Sequence, residues 1–286
     1  DPAIQRCHDM TQVKTRRLVL TYMFAVFMSI LFLFPFLWMT TTSFKTADQV
    51  YDNPMQIIPN PFDFSPYQRL FTENNFGQYL WNTVYVTVLT LIGVILSSSV
   101  VAFGFSYFRF PKKELLFKIL LGTMMLPAQV TMIPQYILFD KLGWIGSFKP
   151  LIIPTFFGGT WVIFLLRQFF DTIPREYSEA AKIDGANEWT IFTKIYLPLA
   201  KAPISTSILF VFMWTWTDFM NPLIYLTDDK MYTLSIALQR ISSGARSTDW
   251  PLMMAGSLVM ALPIVILFFS AQKTFINGAS MSGLKG

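Results

Sequence analysis

The feature that most constrains this chain is the length of its uncharged stretches. Leu18 to Met39 contains no charged residue, and none occurs between Glu73 and Arg109. A helix crossing the hydrocarbon layer of a bilayer needs about 20 predominantly apolar residues. Helices suit that layer because they satisfy their backbone hydrogen bonds within one segment. These runs therefore read as spanning helices. Composition agrees, since only 14% of the 286 residues are charged and 53% are hydrophobic, whereas soluble domains average about 25% charged.

Six spans are expected. They are Leu18–Met39, a helix within Tyr79–Phe103, Ile119–Phe139, Pro150–Leu166, Ala202–Leu226 and Pro251–Gln272. Pro35 inside the first is tolerable in a membrane helix, and Asp218 is the single charge inside the fifth. The fold class is all-α, a polytopic membrane protein, with no tandem repeat and one membrane domain. The chain opens on Asp1, and Met10 heads a basic lead-in. Residues 1–9 are read as preceding the native start and stand outside the fold argument. A cleaved signal peptide fits poorly, because the apolar run is about 22 residues with no small-residue cleavage site behind it.

Basic residues orient the spans. With an even number of spans both termini share one side, and 15 of the 22 Lys and Arg residues fall there. They lie in the N-terminus, the Arg109–Lys118 connection, the central loop (Arg167, Arg175, Lys182, Lys194, Lys201) and the tail. That side is expected to be cytoplasmic. Residues 1–17 form an N-terminal cytoplasmic segment, 18–272 the membrane domain with a polar loop at about 171–201, and 273–286 a cytoplasmic tail. This bias accounts for the net charge of +5 without nucleic acid as a partner. The lone Cys7 and the lone His8 leave no material for a disulfide framework, a cysteine metal cluster or a histidine-centred catalytic site. No catalytic or metal-ligating residue is expected.

The long connection Thr41–Gln78 is expected outside, and its prolines exclude it from lipid. Its aromatic residues (Tyr51, Phe62, Phe64, Tyr67, Phe71, Phe76) fit either interfacial anchoring or contact with an external protein. In the central loop, Pro174 suits the first turn of a helix that continues through Arg175–Asp184. Glu179 and Lys182 are spaced to support each other. Gly185 is placed to stop the helix in a left-handed conformation. Asn187 can cap a second helix running to about Tyr196, and Pro198 and Pro203 mark the return to the membrane. Ala180 and Ala181 give the first helix a low-relief side. That side suits a groove on another protein or an amphipathic position on the lipid surface.

Glu179-Ala180-Ala181, Gly185 and Ile195-x-Leu197-Pro198 at this spacing resemble the EAA loop of permease subunits of bacterial ABC importers. The likeness extends from about Leu18 across most of the chain. Phe212–Tyr225 and Gln272–Gly278 are similar to the carbohydrate-uptake branch, in particular its smaller maltose-type permeases. The resemblance implies a type I importer permease fold in the bacterial inner membrane. The implied partners are a second permease chain, expected to differ from this one, two ATP-binding cassette subunits and an extracytoplasmic solute-binding protein. It assigns Glu179, Ala180, Ala181, Asp184, Gly185, Ile195, Leu197 and Pro198 to coupling with the ATPase. The chain has no G-x-x-x-x-G-K-[ST] phosphate loop, so ATP and Mg are expected on the partner and no cofactor on this chain.

An ionisable residue inside a span is a functional candidate. Asp218 lies among Trp214, Trp216, Thr217 and Asn221, a mixture of aromatic and hydrogen-bonding groups suited to a sugar. Equally, Asp218 can sit paired near the outer end of its helix with the tryptophans as belt residues. In the second span, Asn82, Thr83 and Thr87 can face a pore or serve helix packing; Ser97, Ser98 and Ser99 read as close-packing positions. The rival function is a secondary active transporter of a small polar solute, which usually shows internal repeats and midplane ionisable groups.

Overall fold

The computed structural model describes the backbone of residues 2–243 and 248–282, and the side chains of residues 17–243 and 248–270. All regular elements among the described residues are helical. Arg6, Lys14, Arg16, Arg246, Lys273 and Lys285, used above for orientation, lie outside the described side chains, as does the end of the tail.

Among the described residues, four stretches are long and apolar enough to cross a membrane without a sharp bend: Arg17–Thr42, Phe76–Tyr107, Lys149–Phe170 and Trp250–Ser270. Two further candidates are bent pairs, Lys113–Thr123 with Ala128–Lys141 at 94°, and Glu188–Leu199 with Lys201–Trp216 at 77°. Counting each pair as one span gives six. Within the bent pairs, the segments expected as the spans Ile119–Phe139 and Ala202–Leu226 are each broken. The first breaks at Met124–Pro127, where Pro127 cannot donate a helical hydrogen bond and disfavours helical geometry at Leu126. The second ends at Trp216, and residues 220–225 form a separate short helix.

The described residues fall into two compact units. One comprises Asp1–Leu70 and Ile241–Val259. Its long helix α1 (Pro2–Thr42) leaves Phe24, Phe27, Phe32 and Leu37 exposed, an apolar surface that water would not tolerate and lipid does. Beyond it, the expected external connection is largely structured. Helix α2 (Ala47–Asp52) starts with a reciprocal capping box between Thr46 and Gln49, and α3 (Ser65–Thr72) follows. Phe44 packs on Phe62, Phe64 and Tyr67 at centroid distances of 5.2–6.2 Å. Several aromatics of this segment thus serve its own packing. Arg69 and Asp249 form an ion pair at 2.8 Å.

The other unit comprises Phe71–Arg240 and Met260–Gly286. Its axis is α4 (Phe76–Tyr107). The buried face of α4 is small and hydroxylated, with Thr83, Thr87, Thr90, Gly93, Ser98 and Ser99, whereas Trp81, Val88, Ile92 and Leu96 point outward. This is the inverse of a soluble helix, because in lipid small residues let helices approach and apolar bulk faces the acyl chains. A Cβ on Gly93 would collide with Thr155 and Phe156. Ser98 Oγ accepts a hydrogen bond from Gly159 N at 2.9 Å, consistent with the close-packing reading of the serines.

After α4 come α5 (Lys113–Thr123), α6 (Ala128–Lys141), α7 (Lys149–Ile152), a 3₁₀ turn at Ile153–Phe157 and α8 (Thr160–Phe170). Next are α9 (Arg175–Ile183), α10 (Glu188–Ile191), a π-turn at Phe192–Tyr196 and α11 (Leu197–Leu199). The chain continues through α12 (Lys201–Trp216), α13 (Met220–Tyr225), α14 (Leu234–Ser242) and α15 (Trp250–Ser282). Helices α8 and α12 pack on α4. Arg167, assigned to the loop by its charge, is buried inside α8. Its Nη2 meets Glu114 Oε1 at 2.5 Å, its Nε lies 3.4 Å from Asp171, and its guanidinium stacks 3.8 Å from the centre of the Phe117 ring. The acids and the ring compensate a charge that would otherwise be costly to bury.

Candidate functional site

The polar loop of 171–201 is built as helix, turn, helix. Pro174 stands just outside α9 as its N-cap, with the extended backbone that it favours, and Glu176 lies in the first turn near the positive helix end. At the far end Gly185 N donates to Lys182 O at 3.0 Å and Ala186 N donates to Ala181 O at 2.9 Å. This pair of bonds is a Schellman stop, and Gly185 has the positive φ of 82° that it requires. Asn187 Oδ1 then accepts from Thr190 N at 2.8 Å and starts α10. The helical run continues through the π-turn and α11, in which Pro198 is exposed, and bends at Ala200.

The two alanines separate. Ala180 is exposed, whereas Ala181 is half-buried and packs, with Ala186, Ile195 and Leu197, against the hydrophobic core. Glu179 and Asp184 are exposed. Only Ser178 of α9 is buried, its hydroxyl 3.4 Å from that of Tyr196. Lys182 turns to Glu188 at 3.9 Å and to the Tyr107 ring, 5.2 Å from its centroid. Its pKa lies above the usual lysine value, first through the Tyr107 hydroxyl and only lastly through Glu179. Glu188, rather than Glu179, is thus its nearest acid. Below α9 is a cavity of about 460 Å³, lined by Arg109, Asp171, Arg175, Glu179, Lys182, Glu188, Tyr107 and Tyr196 among others.

Past Gly185 the chain is rooted in the protein. Ile191, Phe192 and Tyr196 are almost fully buried. Phe103 contacts Phe192 and Tyr196 at centroid distances of 5.0 and 4.9 Å, and Phe170 contacts Tyr196 at 5.3 Å. Sequence reasoning missed these anchors. Their helical spacing was the available signal, but it does not distinguish protein packing from lipid contact.

The proposed path residues divide. Asp218, Asn221 and Thr83 line a cavity of about 260 Å³ together with Thr90, Gln135, Thr155, Thr215, Tyr225 and Thr233. Asp218 Oδ2 accepts from Asn221 Nδ2 at 2.8 Å and its Oδ1 from Asn221 N at 3.2 Å, and its backbone oxygen accepts from Ser235 Oγ at 2.6 Å. The Tyr225 hydroxyl, buried at this cavity, has no hydrogen-bond partner among the described residues.

Thr83 is also structural, since its hydroxyl donates to Tyr79 O and accepts from Leu234 N. Asn82 is buried and donates to the carbonyls of Lys230 and Tyr232 at 2.8 and 3.0 Å, pinning that loop to α4. Trp216 is buried against Phe212 and donates its indole N–H to Met260 O at 2.9 Å. Trp214 is half-exposed and packs edge-on to Trp161, and the exposed Thr217 donates to Met213 O. Unlike Thr83, Asn82, Trp214, Trp216 and Thr217 are not among the cavity-lining residues. Gln135, Thr215, Tyr225 and Thr233 were missed, because they come from separate segments with no shared spacing.

Up to six candidate membrane spans and a small polar cavity among the described residues fit a solute permease. The family of binding-protein-dependent transport system inner membrane components matches residues 93–278. The chain belongs to this family and is the membrane-spanning permease component of an importer in the inner membrane. It is 32% identical over 253 residues to the sn-glycerol-3-phosphate transport system permease protein UgpE of Brucella abortus (strain 2308), covering 86% of this chain and 89% of the relative. It is 29% identical over 254 residues to the lactose transport system permease protein LacG of Rhizobium radiobacter, covering 89% and 90%. Its fold matches the crystal structure of a bacterial ABC transporter that imports the acidic polysaccharide alginate. The TM-score is 0.78 and the identity 22%, over 90% of this chain and 95% of that one.

Proposed function

We propose that this chain forms one half of the pore through which a sugar or sugar-like solute enters the cell, driven by ATP hydrolysis on separate subunits. The observation that carries the coupling is the division of the loop at Gly185 into an exposed helix and a buried root. The exposed face of α9, with Glu179, Ala180 and Ile183, docks in a groove of an ATP-binding cassette subunit. Two such subunits hold the ATP and Mg, a second permease chain completes the pore, and an extracytoplasmic binding protein delivers the solute. The loop and both termini lie on the cytoplasmic side, as the excess of Lys and Arg there requires.

Movement of the ATPase pair reaches the pore through Ile191, Phe192 and Tyr196. Swinging a pore from 1:99 to 99:1 takes about 5.5 kcal/mol of differential binding, and a rooted helix can transmit such a load. The Asp218–Asn221 pair and the free Tyr225 hydroxyl present acceptors and donors for solute hydroxyls. The sugar assignment draws on the lactose permease and the alginate importer among the relatives; the glycerol phosphate permease keeps phosphorylated polyols within the class.

Reconstitution in proteoliposomes with the ATPase subunits, the second permease and the binding protein tests this reading. Uptake is expected only with internal ATP and external binding protein together. Uptake driven by a proton gradient without ATP would establish the secondary-transporter reading instead.

A further inference from the structure

Lys45 is 1% exposed and among the largest fully buried side chains of the described protein. Lysine is almost never fully buried unless its charge is paired, because an uncompensated ammonium in an apolar setting is costly. Among the described residues no acid pairs with it. Among the described residues its ammonium makes one long hydrogen bond, 3.5 Å to Pro54 O, and its Nζ lies 5.1 Å from the centre of the Trp38 ring. An ammonium has three donors, so two remain without a protein acceptor. Burial accordingly pushes the Lys45 pKa below the ordinary lysine value.

Lys45 lines a partly open cavity of about 230 Å³ whose other walls are Trp38, Thr42, Val50, Pro54, Trp250 and Met254. The Thr42 hydroxyl is buried as well and has no hydrogen-bond partner among the described residues. A cation and a hydroxyl are thus both unsatisfied at one apolar hole. The missing counterpart is an oxyanion, which would accept from both.

The place in the fold identifies its source. Thr42 ends the Arg17–Thr42 span and Trp250 opens the Trp250–Ser270 span. The cavity therefore lies at a membrane surface, at the depth of the headgroups and of interfacial tryptophans. Phosphate groups are concentrated there, and one beside the ammonium would compensate its buried charge. The apolar walls suit the glycerol and first acyl carbons attached to such a phosphate.

We propose that this cavity is a phospholipid site, in which the Lys45 ammonium and the Thr42 hydroxyl hold the headgroup phosphodiester between Trp38 and Trp250. The site is independent of the coupling loop and of the solute cavity, and it ties the outer ends of the assigned spans to the bilayer.

Native mass spectrometry of the assembled transporter, delipidated and then titrated with phosphatidylglycerol, tests the proposal. The wild type is expected to retain one more lipid than Lys45→Met, with roughly tenfold weaker retention in the variant, equivalent to about 1.4 kcal/mol. Met254→Trp, which fills the cavity and leaves the ammonium in place, is expected to lose the same lipid, while Lys45→Arg keeps it. If Lys45→Met fails to accumulate, the Met254→Trp comparison alone decides. Equal lipid retention by the wild type and Met254→Trp would overturn the proposal. So would displacement of the lipid by inorganic phosphate at millimolar concentration, which would make the site one for a free anion.

Discussion

The two halves of the polar loop follow one another in the chain across a single turn, yet their environments are opposite. On one side of Gly185, α9 buries only Ser178, and Ile183 is 87% exposed. On the other, Ile191 is fully buried and Phe192 and Tyr196 nearly so, inside an aromatic cluster with Phe103, Tyr107 and Phe170. An element that only covered the membrane surface would need no such root. An element that only packed the core would not expose an isoleucine. The contrast fits the lever proposed above, with one end exposed and the other embedded in the aromatic core.

The largest effect is expected at the turn between the halves. A Cβ on Gly185 would meet no atom within 4 Å, so the demand there is conformational. A left-handed backbone costs an ordinary L-residue roughly 1–2 kcal/mol, while Asn visits it more readily. Gly185→Val should abolish ATP-driven uptake with normal amounts of protein in the membrane, and Gly185→Asn should keep most of it. Normal uptake by a well-expressed Gly185→Val variant would break the lever.

A middle-sized effect separates the halves by stability. Ile191→Ala should lower the unfolding free energy by about 2–5 kcal/mol, as for other buried aliphatic truncations. Ile183→Ala should change it by less than about 0.5 kcal/mol yet reduce uptake. Denaturant titration of both variants, paired with transport assays, sharpens the comparison; similar losses of stability would erase it.

The smallest effect is expected from Lys182→Ala. Lys182 and Glu188 join the halves across the turn at 3.9 Å, both about half-exposed, and such solvent-facing pairs contribute little and weaken with salt. A much larger, salt-insensitive loss of stability would mean that the halves are locked to each other rather than joined at a turn.

The loop was readable in the chain because its signals are local. Gly185 two residues ahead of Asn187 is a stop followed by a start, and each needs only its own turn of backbone. The bent pairs were harder. Pro127 was visible, as was Pro35, yet Pro35 lies within continuous α1 while Pro127 stands at a 94° bend. Membrane helices tolerate proline when neighbouring groups take up the freed backbone bonds, so the outcome depends on surroundings that a single segment does not contain. Trp216 and Asn82 carried the right chemistry for a sugar path, but their polar atoms are committed to Met260 and to the Lys230–Tyr232 loop.

The amino-acid sequence by itself determined the membrane class, the approximate places of the spans and the helix–turn–helix of the loop, because apolar run length and helix-end chemistry act over a few consecutive residues. Tertiary structure alone decided which loop half is rooted and which is free, and it buried Arg167 beside Glu114. It also grouped Asp218, Tyr225 and Gln135 around one cavity and left Lys45 buried with no acid beside it among the described residues. Those outcomes depend on residues far apart in the chain, and desolvation or an unpaired donor arises only once packing has removed the water.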